Sequence, residues 1–390
     1  MTPGVLAALC VPSAAAWALS FTAVVKTIRA VPSLRDDHSP EPARWPRVSL
    51  VVPARDESRD LERAVRSRLA DDYPDLQVIV VDDRSTDGTG AIADRLAADD
   101  PRVRAIHVTA LPPGWLGKLH ALDRGAAAAD GDWLLFSDAD IEFAPGTLRR
   151  TVALCEARGL DHLTVLPSFR RNGLLVDAAI HAFARSLVVL GRLWAVPDMS
   201  SRVAVGGGIF NLVRRSALAR TPGFEHLRLE IADDVALAQM LKRAGARPAV
   251  VNAVGFVTLD FYQSLGEMAW GLEKNLFAVV ARFRLWPLAL VTVVGLATTF
   301  GFLAGFAHPD AWVRALAAAA LALSIAEQWA ISRWAGRSPL PGFLFPFGQL
   351  AILAMAWRSA WRTLRRGGVS WRDTVYSIDE LRAGSRLELF

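Results

Sequence analysis

The sequence predicts a doubly wound, Rossmann-like α/β domain with membrane-spanning helices before and after it. Three observations carry that expectation. Short apolar runs at residues 48–52, 78–81 and 133–136 have the length of buried parallel strands. Helical stretches at 61–69, 89–98 and 118–129 separate them, and strand–helix alternation builds a parallel sheet. Long uncharged runs lie at both ends of the chain, and they raise the hydrophobic content to 52% and the mean hydropathy to +0.27.

At 390 residues the chain can hold one large catalytic domain and further elements. Its two cysteines, Cys10 and Cys155, lie far apart, which gives neither a disulfide framework nor a metal-ligand spacing. The net charge of +5 is modest, and arginines gather beside the apolar segments. That distribution reads as anchoring at the cytoplasmic face of a membrane, so no nucleic-acid partner is expected. Lysine occurs only at Lys26, Lys118, Lys242 and Lys274, which makes each of them stand out.

Residues 4–25 form a nearly uncharged run long enough to cross a bilayer. Lys26, Arg29 and Arg35 follow the run and nothing basic precedes it, the reverse of a signal peptide. An uncleaved helix over 1–28 is therefore expected, amino terminus outside. Residues 29–46 read as a linker, and the α/β domain is expected over 47–260 with a later strand at 247–252. Residues 178–196 are apolar but contain His181, Arg185 and Arg192. On a helix these and Asp177 fall within roughly 80° of one another. Such a stripe fits an element lying in the membrane surface, or a core helix with one solvated edge.

An interfacial helix is expected over 261–284, with Trp270 as its anchor. Three candidate spans follow within 285–357: 285–307, 311–331 and 339–357, the third interrupted by Pro341, Pro346 and Gly348. The tail, 358–390, opens with Arg358, Arg362, Arg365 and Arg366, which should stay in the cytoplasm. Four full crossings would put that tail outside. Either the charge rule fails or one segment is re-entrant or interfacial. Glu327 lies near the end of its span and is expected at the interface.

Acidic words mark the strand ends. Asp82-Asp83 follow the run 78–81, and the carboxyl ends of strands are where α/β sheets place ligands. Ser85, Thr86 or Asp87 can cap the next helix, which leaves the paired aspartates unexplained. A carboxylate at that place can accept hydrogen bonds from a base or a ribose. Asp138-Ala139-Asp140 ends the run 133–136, and alternate strand residues share a face, so the two carboxylates can converge. Hard oxygen ligands of this kind suit Mg²⁺ or Mn²⁺, whereas a lone Asp-x-Asp more often marks an exposed turn. Gly117-Lys118 offers either a point charge for phosphate or a plain surface lysine. Gly206-Gly-Gly208 permits close approach of a sugar or acceptor, or makes a bare turn. Asp233-Asp234 open a helix that they can also cap, and Asp56 can cap one beginning near Ser58.

The words Val48-Ser-Leu-Val-Val-Pro-Ala-Arg-Asp-Glu57 and Val81-Asp-Asp-Arg-Ser-Thr-Asp-Gly-Thr89 resemble those of the family 2 glycosyltransferases of GT-A fold. Glu230-Ile-Ala-Asp-Asp-Val-Ala-Leu237, ending in Lys242-Arg-Ala-Gly245, is similar to that family's Glu-Asp helix, with Asp233 where Glu is usual. The resemblance implies a role for each word. Asp83 would contact the nucleotide base, Pro53 and Arg55 would line its pocket, and Lys118 would face the donor diphosphate. Asp138 would meet both nucleotide and metal, Asp140 the metal, and Asp234, beside Asp233, would be the general base.

Pro112-Pro-Gly-Trp115, Trp270-Gly-Leu-Glu-Lys-Asn-Leu-Phe277 and Gly368-Val-Ser-Trp-Arg372 with Tyr376 resemble words of carotenoid-, hopanoid- and ceramide-type members. The Gln-x-x-Arg-Trp word of processive synthases is missing. The expected function is metal-dependent, inverting transfer of one sugar from an NDP-sugar, with UDP as the expected nucleotide, to a lipid hydroxyl. The expected place is the inner membrane, multi-pass, catalytic domain cytoplasmic. A polyprenyl-phosphate glycosyltransferase, whose acceptor needs no base, is one alternative. A non-catalytic membrane scaffold with a relict nucleotide site is the other. The sugar, the lipid and the oligomeric state are not written in the sequence.

Overall fold

The computed structural model describes residues 1–371 and 374–388; Arg372 of the tail word lies outside them. The chain forms two compact units. One, an α/β unit, comprises Val31–Arg170, Leu193–Phe261 and the end of the chain from Ala383. The other, a helical unit, comprises Met1–Ala30, Arg171–Arg192 and Tyr262–Arg382. The α/β unit is thus not the single run 47–260: residues 171–192 leave it, and residues 383–388 return to it.

The α/β unit is built on a seven-stranded sheet. Its strands are β1 (Val48–Ala54), β2 (Leu76–Asp83), β3 (Val103–Val108), β4 (Trp133–Phe136), β6 (His162–Leu166), β8 (Asn211–Arg214) and β9 (Pro248–Asn252). Three short strands, β5 (Glu142–Phe143), β7 (Ser168–Phe169) and β10 (Val257–Leu259), make a second sheet in the order β5-β10-β7. The main order is β3-β2-β1-β4-β8-β6-β9, with β8 antiparallel to both neighbours. Strands β1, β2 and β4 are buried apolar runs, the composition a sheet covered on both faces requires. Their parallel register sets Ala54 against Asp82 and Val51 against Phe136. The loops after all three strands therefore open on one edge of the sheet.

Three main-sheet strands have no counterpart among the sequence expectations. β3 is an edge strand with an exposed–buried mixture, so it lacks a continuous apolar run. β6 and β8 carry polar residues in their buried faces, where His162 Nε2 meets Asn211 Oδ1 at 3.0 Å. A polar pair satisfied across two strands does not read as a hydrophobic run.

In the helical unit, four helices among the described residues are long and apolar enough to cross a membrane: Pro3–Ala30, Leu174–Ala195, Leu285–Ala307 and Ala311–Trp334. They point to membrane association. The third carboxy-terminal segment instead becomes a short turn of helix, Leu340–Phe343, and then a helix Phe345–Arg366 that runs straight through the arginines. Arg358, Arg362 and Arg366 recur every fourth residue and converge on Glu273, at 3.0, 3.0 and 2.9 Å. Between Asp260 and Leu285 the backbone is broken into short helices. The first of them, Leu265–Gly271, opens on a capping box in which Ser264 Oγ accepts from Glu267 N and Gln263 N donates to Glu267 Oε2.

The polar stripe on Leu174–Leu190 faces neither headgroups nor solvent. Asp177 pairs with Arg337 at 2.7 Å and His181 Nε2 meets Gln328 Oε1 at 2.7 Å. Arg185 Nε donates to Glu327 Oε1 at 2.5 Å and Arg185 Nη2 to Ser20 Oγ at 2.7 Å, with the guanidinium between the rings of Trp17 and Phe345. Glu327 is fully buried, not interfacial. An apolar helix that keeps polar residues on one stripe keeps them for its helical neighbours.

Removing one partner of such a buried pair strands the other charge. Glu327→Gln should destabilise the protein in detergent by about 3 kcal/mol, read from the unfolding midpoint. The double variant Arg185→Met/Glu327→Leu should lie closer to the parent than either single change. An unshifted midpoint for Glu327→Gln would remove this pair from the stability argument.

Candidate active site

The loops after β1 and β2 are stitched to one another. Thr86 N donates to Asp56 Oδ1 at 2.8 Å, Asp56 N to Ser85 Oγ at 3.0 Å, Glu57 N to Thr89 Oγ1 at 2.8 Å, and Ser58 N to Asp87 Oδ2 at 3.0 Å. Asp56 thus serves the neighbouring loop and caps nothing; the helix after β1 begins at Leu61. Asp56 and Arg84 hold left-handed backbone, φ 55° and 59°, a conformation non-glycine residues adopt where the surroundings enforce it.

The two aspartates closing β2 have separate tasks. Asp82 Oδ2 meets His107 Nδ1 at 3.0 Å, and His107 Nε2 meets Asp94 Oδ1 at 2.9 Å; both carboxylates raise the affinity of the ring for its proton. That is a structural triad. Asp83 instead accepts both arms of Arg84, Nε at 2.7 Å and Nη2 at 2.9 Å, with Arg55 Nη1 at 3.9 Å. Pro53 lies one step back on β1, in register with Val81.

Gly117 opens the next helix against Asp83, so close that a Cβ there would collide with the carboxylate and come within 2.7 Å of Arg84 Nη2. The following residue is Lys118, whose Nζ reaches Asp138 Oδ1 at 2.9 Å and Asp233 Oδ2 at 3.3 Å. Asp234 Oδ2 accepts from Gly208 N at 2.9 Å, and Gly208 O accepts from Asp138 N at 2.8 Å. A Cβ on Gly208 would stand 2.6 Å from Asp138 Oδ2 and 2.9 Å from Lys118 Nζ. This glycine therefore lets the two acidic loops of Asp138 and Asp234 close on one lysine.

Beneath the Asp138–Asp140 turn lies Arg68, fully buried. Its Nε donates to Ile141 O at 3.1 Å and its Nη2 to Asp138 O, and the guanidinium sits over the Phe143 ring. Burial lowers its pKa to about 10, against the pull of Asp140 and Asp138.

Charge is concentrated here and only partly compensated. Burial, joined by the charge of Asp138, pushes the Asp140 carboxyl up to about 6. Burial and Asp233 push Asp234 up, with Lys118 opposing. Burial would weaken Lys118 as a cation, but Asp138, Asp233 and Asp234 together hold it above its ordinary value. Asp138 and Asp140 are hard donors on one turn, and a divalent cation would relieve the repulsion that raises Asp140. No group of three or more His, Cys, Asp or Glu side chains gathers to hold a metal among the described residues. Two carboxylates leave the remaining positions to phosphate oxygens and water, a division of ligands usual for Mg²⁺ and Mn²⁺. The donor set fits that ion class.

The structure brings together Lys118, Asp138, Asp233 and Asp234, and beside them Asp83 and Arg55. Arg84, Arg68 and the role of Gly208 have no place among the sequence expectations. Arg84 stands inside the Asp-Asp word, but only its backbone angle shows that it folds back on Asp83. Arg68 sits in an ordinary amphipathic helix, and only burial distinguishes it from its neighbours.

Residues 49–181 match the family described as glycosyl transferase family 2. The chain carries a family 2 glycosyltransferase domain. It is similar to 4,4'-diaponeurosporenoate glycosyltransferase of Staphylococcus haemolyticus, 25% identical over 265 residues, which cover 66% of this chain and 68% of that one. It is also similar to beta-monoglucosyldiacylglycerol synthase of Synechocystis, 34% identical over 146 residues, 35% of this chain and 30% of that one. The chain spans between 15% and 68% of the length of the curated relatives it matches. Among solved structures, the mannosyltransferase PcManGT of Pyrobaculum calidifontis, in complex with GDP-Man and Mn²⁺, is 22% identical with a TM-score of 0.56. That likeness covers 92% of this chain and 99% of the other, and it shows the GT-A fold.

Arg68→Met should leave the carbonyls of Asp138 and Ile141 buried without donors. A loss of about 1–3 kcal/mol is expected, read as a lower unfolding midpoint. An unchanged midpoint would mean that the turn holds itself.

Proposed function

We propose that this protein transfers one sugar, with inversion, from a nucleoside diphosphate sugar to a hydroxyl of a lipid acceptor at the membrane. The observation that carries this reading is the closure of Lys118, Asp138 and Asp234 around Gly208, beside Asp83 and Arg55. In it, Asp83 and Arg55, with Pro53 at the pocket wall, hold the nucleotide, UDP being the first to test. Lys118 supplies a point charge for the diphosphate. Asp138 and Asp140 would hold Mg²⁺ or Mn²⁺, which when bound offsets charge on the leaving diphosphate.

Asp234 takes the proton of the acceptor hydroxyl as that oxygen forms its bond to the anomeric carbon and the bond to the diphosphate breaks. Its raised proton affinity suits a base working near neutral pH. Asp233 keeps Lys118 turned toward this edge. Relatives named for a carotenoid acid and a glycolipid support a lipid acceptor.

The chain's path supports a definite topology. Strand β6 lies before the helix Leu174–Leu190 and β8 after it, yet the two strands pair, His162 with Val213. One crossing between them would put paired strands on opposite sides of a membrane. This helix therefore does not make a single crossing. Likewise, residues 385–387 hydrogen-bond to Glu230, so an even number of crossings separates Phe261 from Ala383. Leu285–Ala307 and Ala311–Trp334 supply two, and Phe345–Arg366 supplies none. With Pro3–Ala30 as the first of three crossings, Lys26, Arg29, Arg282, Arg284, Arg333 and Arg337 share one side, which is the cytoplasm by the charge rule.

Release of nucleoside diphosphate from a donor panel, with Mg²⁺ or Mn²⁺ and host lipid, tests the reaction. Asp234→Asn should cut lipid-dependent release by roughly 100-fold or more while donor binding survives. Asp140→Ala should abolish metal-dependent release. Substantial release by Asp234→Asn would mean a phosphate acceptor, and no release or donor binding by the parent would leave a scaffold.

For the topology, a cysteine at the exposed Asp310 should react with a membrane-impermeant maleimide on intact spheroplasts. Cysteines at Ser370 and Arg202 should react only after lysis. Labelling of all three before lysis would sink the arrangement.

A further inference from the structure

We propose that the carboxy-terminal strap, residues 383–388, is a working part of the catalytic unit, and that Glu230 is the positioning residue through which it acts. The strap carries none of the family-like words, yet it is fastened to the helix that carries Asp234. Gly384 packs so tightly on Leu229 that a Cβ there would collide with that side chain. Glu230 is buried, and its Oε2 accepts from Ser385 Oγ at 3.1 Å, Arg386 N at 2.6 Å and Leu387 N at 2.9 Å. Further along, Gln239 Nε2 donates to Glu388 O at 2.8 Å, and Gln239 Oε1 accepts from Glu388 N at 3.1 Å. Arg243 closes the row with an ion pair to Glu388 at 2.7 Å.

The segment that the strap clamps touches the site at both ends. Arg228 O accepts from Leu116 N at 2.7 Å, immediately before Gly117 and Lys118. Glu230 Oε1 accepts from Ala232 N at 3.3 Å, immediately before Asp233 and Asp234. Residues 228–232 thus tie the lysine's helix to the acidic helix, and the strap supplies the donors that hold the Glu230 carboxylate in place. Without them the buried carboxylate loses three hydrogen bonds, and the segment between the two helices loses its anchor. Misplacement by about 1 Å at a reacting group can cost roughly 100-fold in rate.

The inference rests on Asp234 being the base in the reading above, and its test separates the two. The full chain in detergent is compared with a chain ending at Arg382, with Glu230→Gln and Glu230→Ala, and with Asp234→Asn as the inactive control. Truncation and Glu230→Ala should lower kcat roughly 10-fold or more with the donor Kd within about twofold, and Glu230→Gln should fall between. Hydrogen exchange over 228–237 should speed up in the truncated chain and in Glu230→Ala, whatever the activity. Parent-like kcat and exchange in the truncated chain would overturn the proposal. If the full chain releases no nucleotide from any donor, the catalytic reading fails, and the exchange experiment alone decides whether the strap holds this segment. Should truncation prevent folding, Glu230→Gln decides: a lowered kcat with a parent-like unfolding midpoint supports the strap, and an unchanged kcat overturns it.

Discussion

The ammonium group of Lys118 pairs with the carboxylates of Asp138 and Asp233 and also feels the charge of Asp234, so one cation offsets the repulsion among three acidic side chains. The positions of the loops follow from this balance. Asp138 is fixed from below by Arg68 through the backbone and from the side by Gly208, so its carboxylate has little freedom to turn away. Asp234 is fixed by two backbone donors, Gly208 N and Val235 N. The cluster is held by backbone donors, while Lys118 meets Asp138 and Asp233 only through its flexible side chain. A site of this design is assembled before its ligand arrives and has spare negative charge that a bound cation would offset.

Arg84 plays the same part at Asp83. A bidentate arginine holds the carboxylate in one orientation, and the strained backbone at Arg84 is the cost of turning it inward. The stitched loops of Asp56 and Asp87 keep that strain in place. Burial works against the charge of Asp87, and hydrogen bonds from Thr89 and Ser58 outweigh it, holding the carboxyl well below the usual range.

Much of this was legible in the residues. The runs that became β1, β2 and β4 are continuous and apolar because both faces of a parallel sheet are covered, and the acidic words at their ends stand where the register aligns three loops. The unread part has physical reasons. β6 and β8 hide a His162–Asn211 pair inside the sheet, so polarity there signals a satisfied partner, not solvent. Gly206 and Gly208 announce close approach without saying of what; the answer is Asp234 and Asp138, two other loops of the chain itself. Glu327 was expected at an interface because its partner Arg185 lies 142 residues earlier, and no local pattern reports a pairing of that range.

Hydropathy misleads on the membrane helices for a related reason: it measures each segment alone, whereas the fold closes circuits. The chain enters the α/β unit at Val31, leaves it at Arg171 and at Tyr262, and comes back after each departure. A departure that returns to the same hydrogen-bonded sheet or strap must cross a bilayer an even number of times. The apolar helix within 171–192 stands alone in its excursion, and in the proposed topology it makes no crossing although its length permits one. The excursion 262–382 contains a hairpin of two long helices, which satisfies the condition, and then a helix whose regular arginines are bound to Glu273. Strand pairing between β6 and β8 and the strap on Glu230 are ordinary hydrogen bonds, yet they limit how the chain can thread a membrane more sharply than the composition of any one helix.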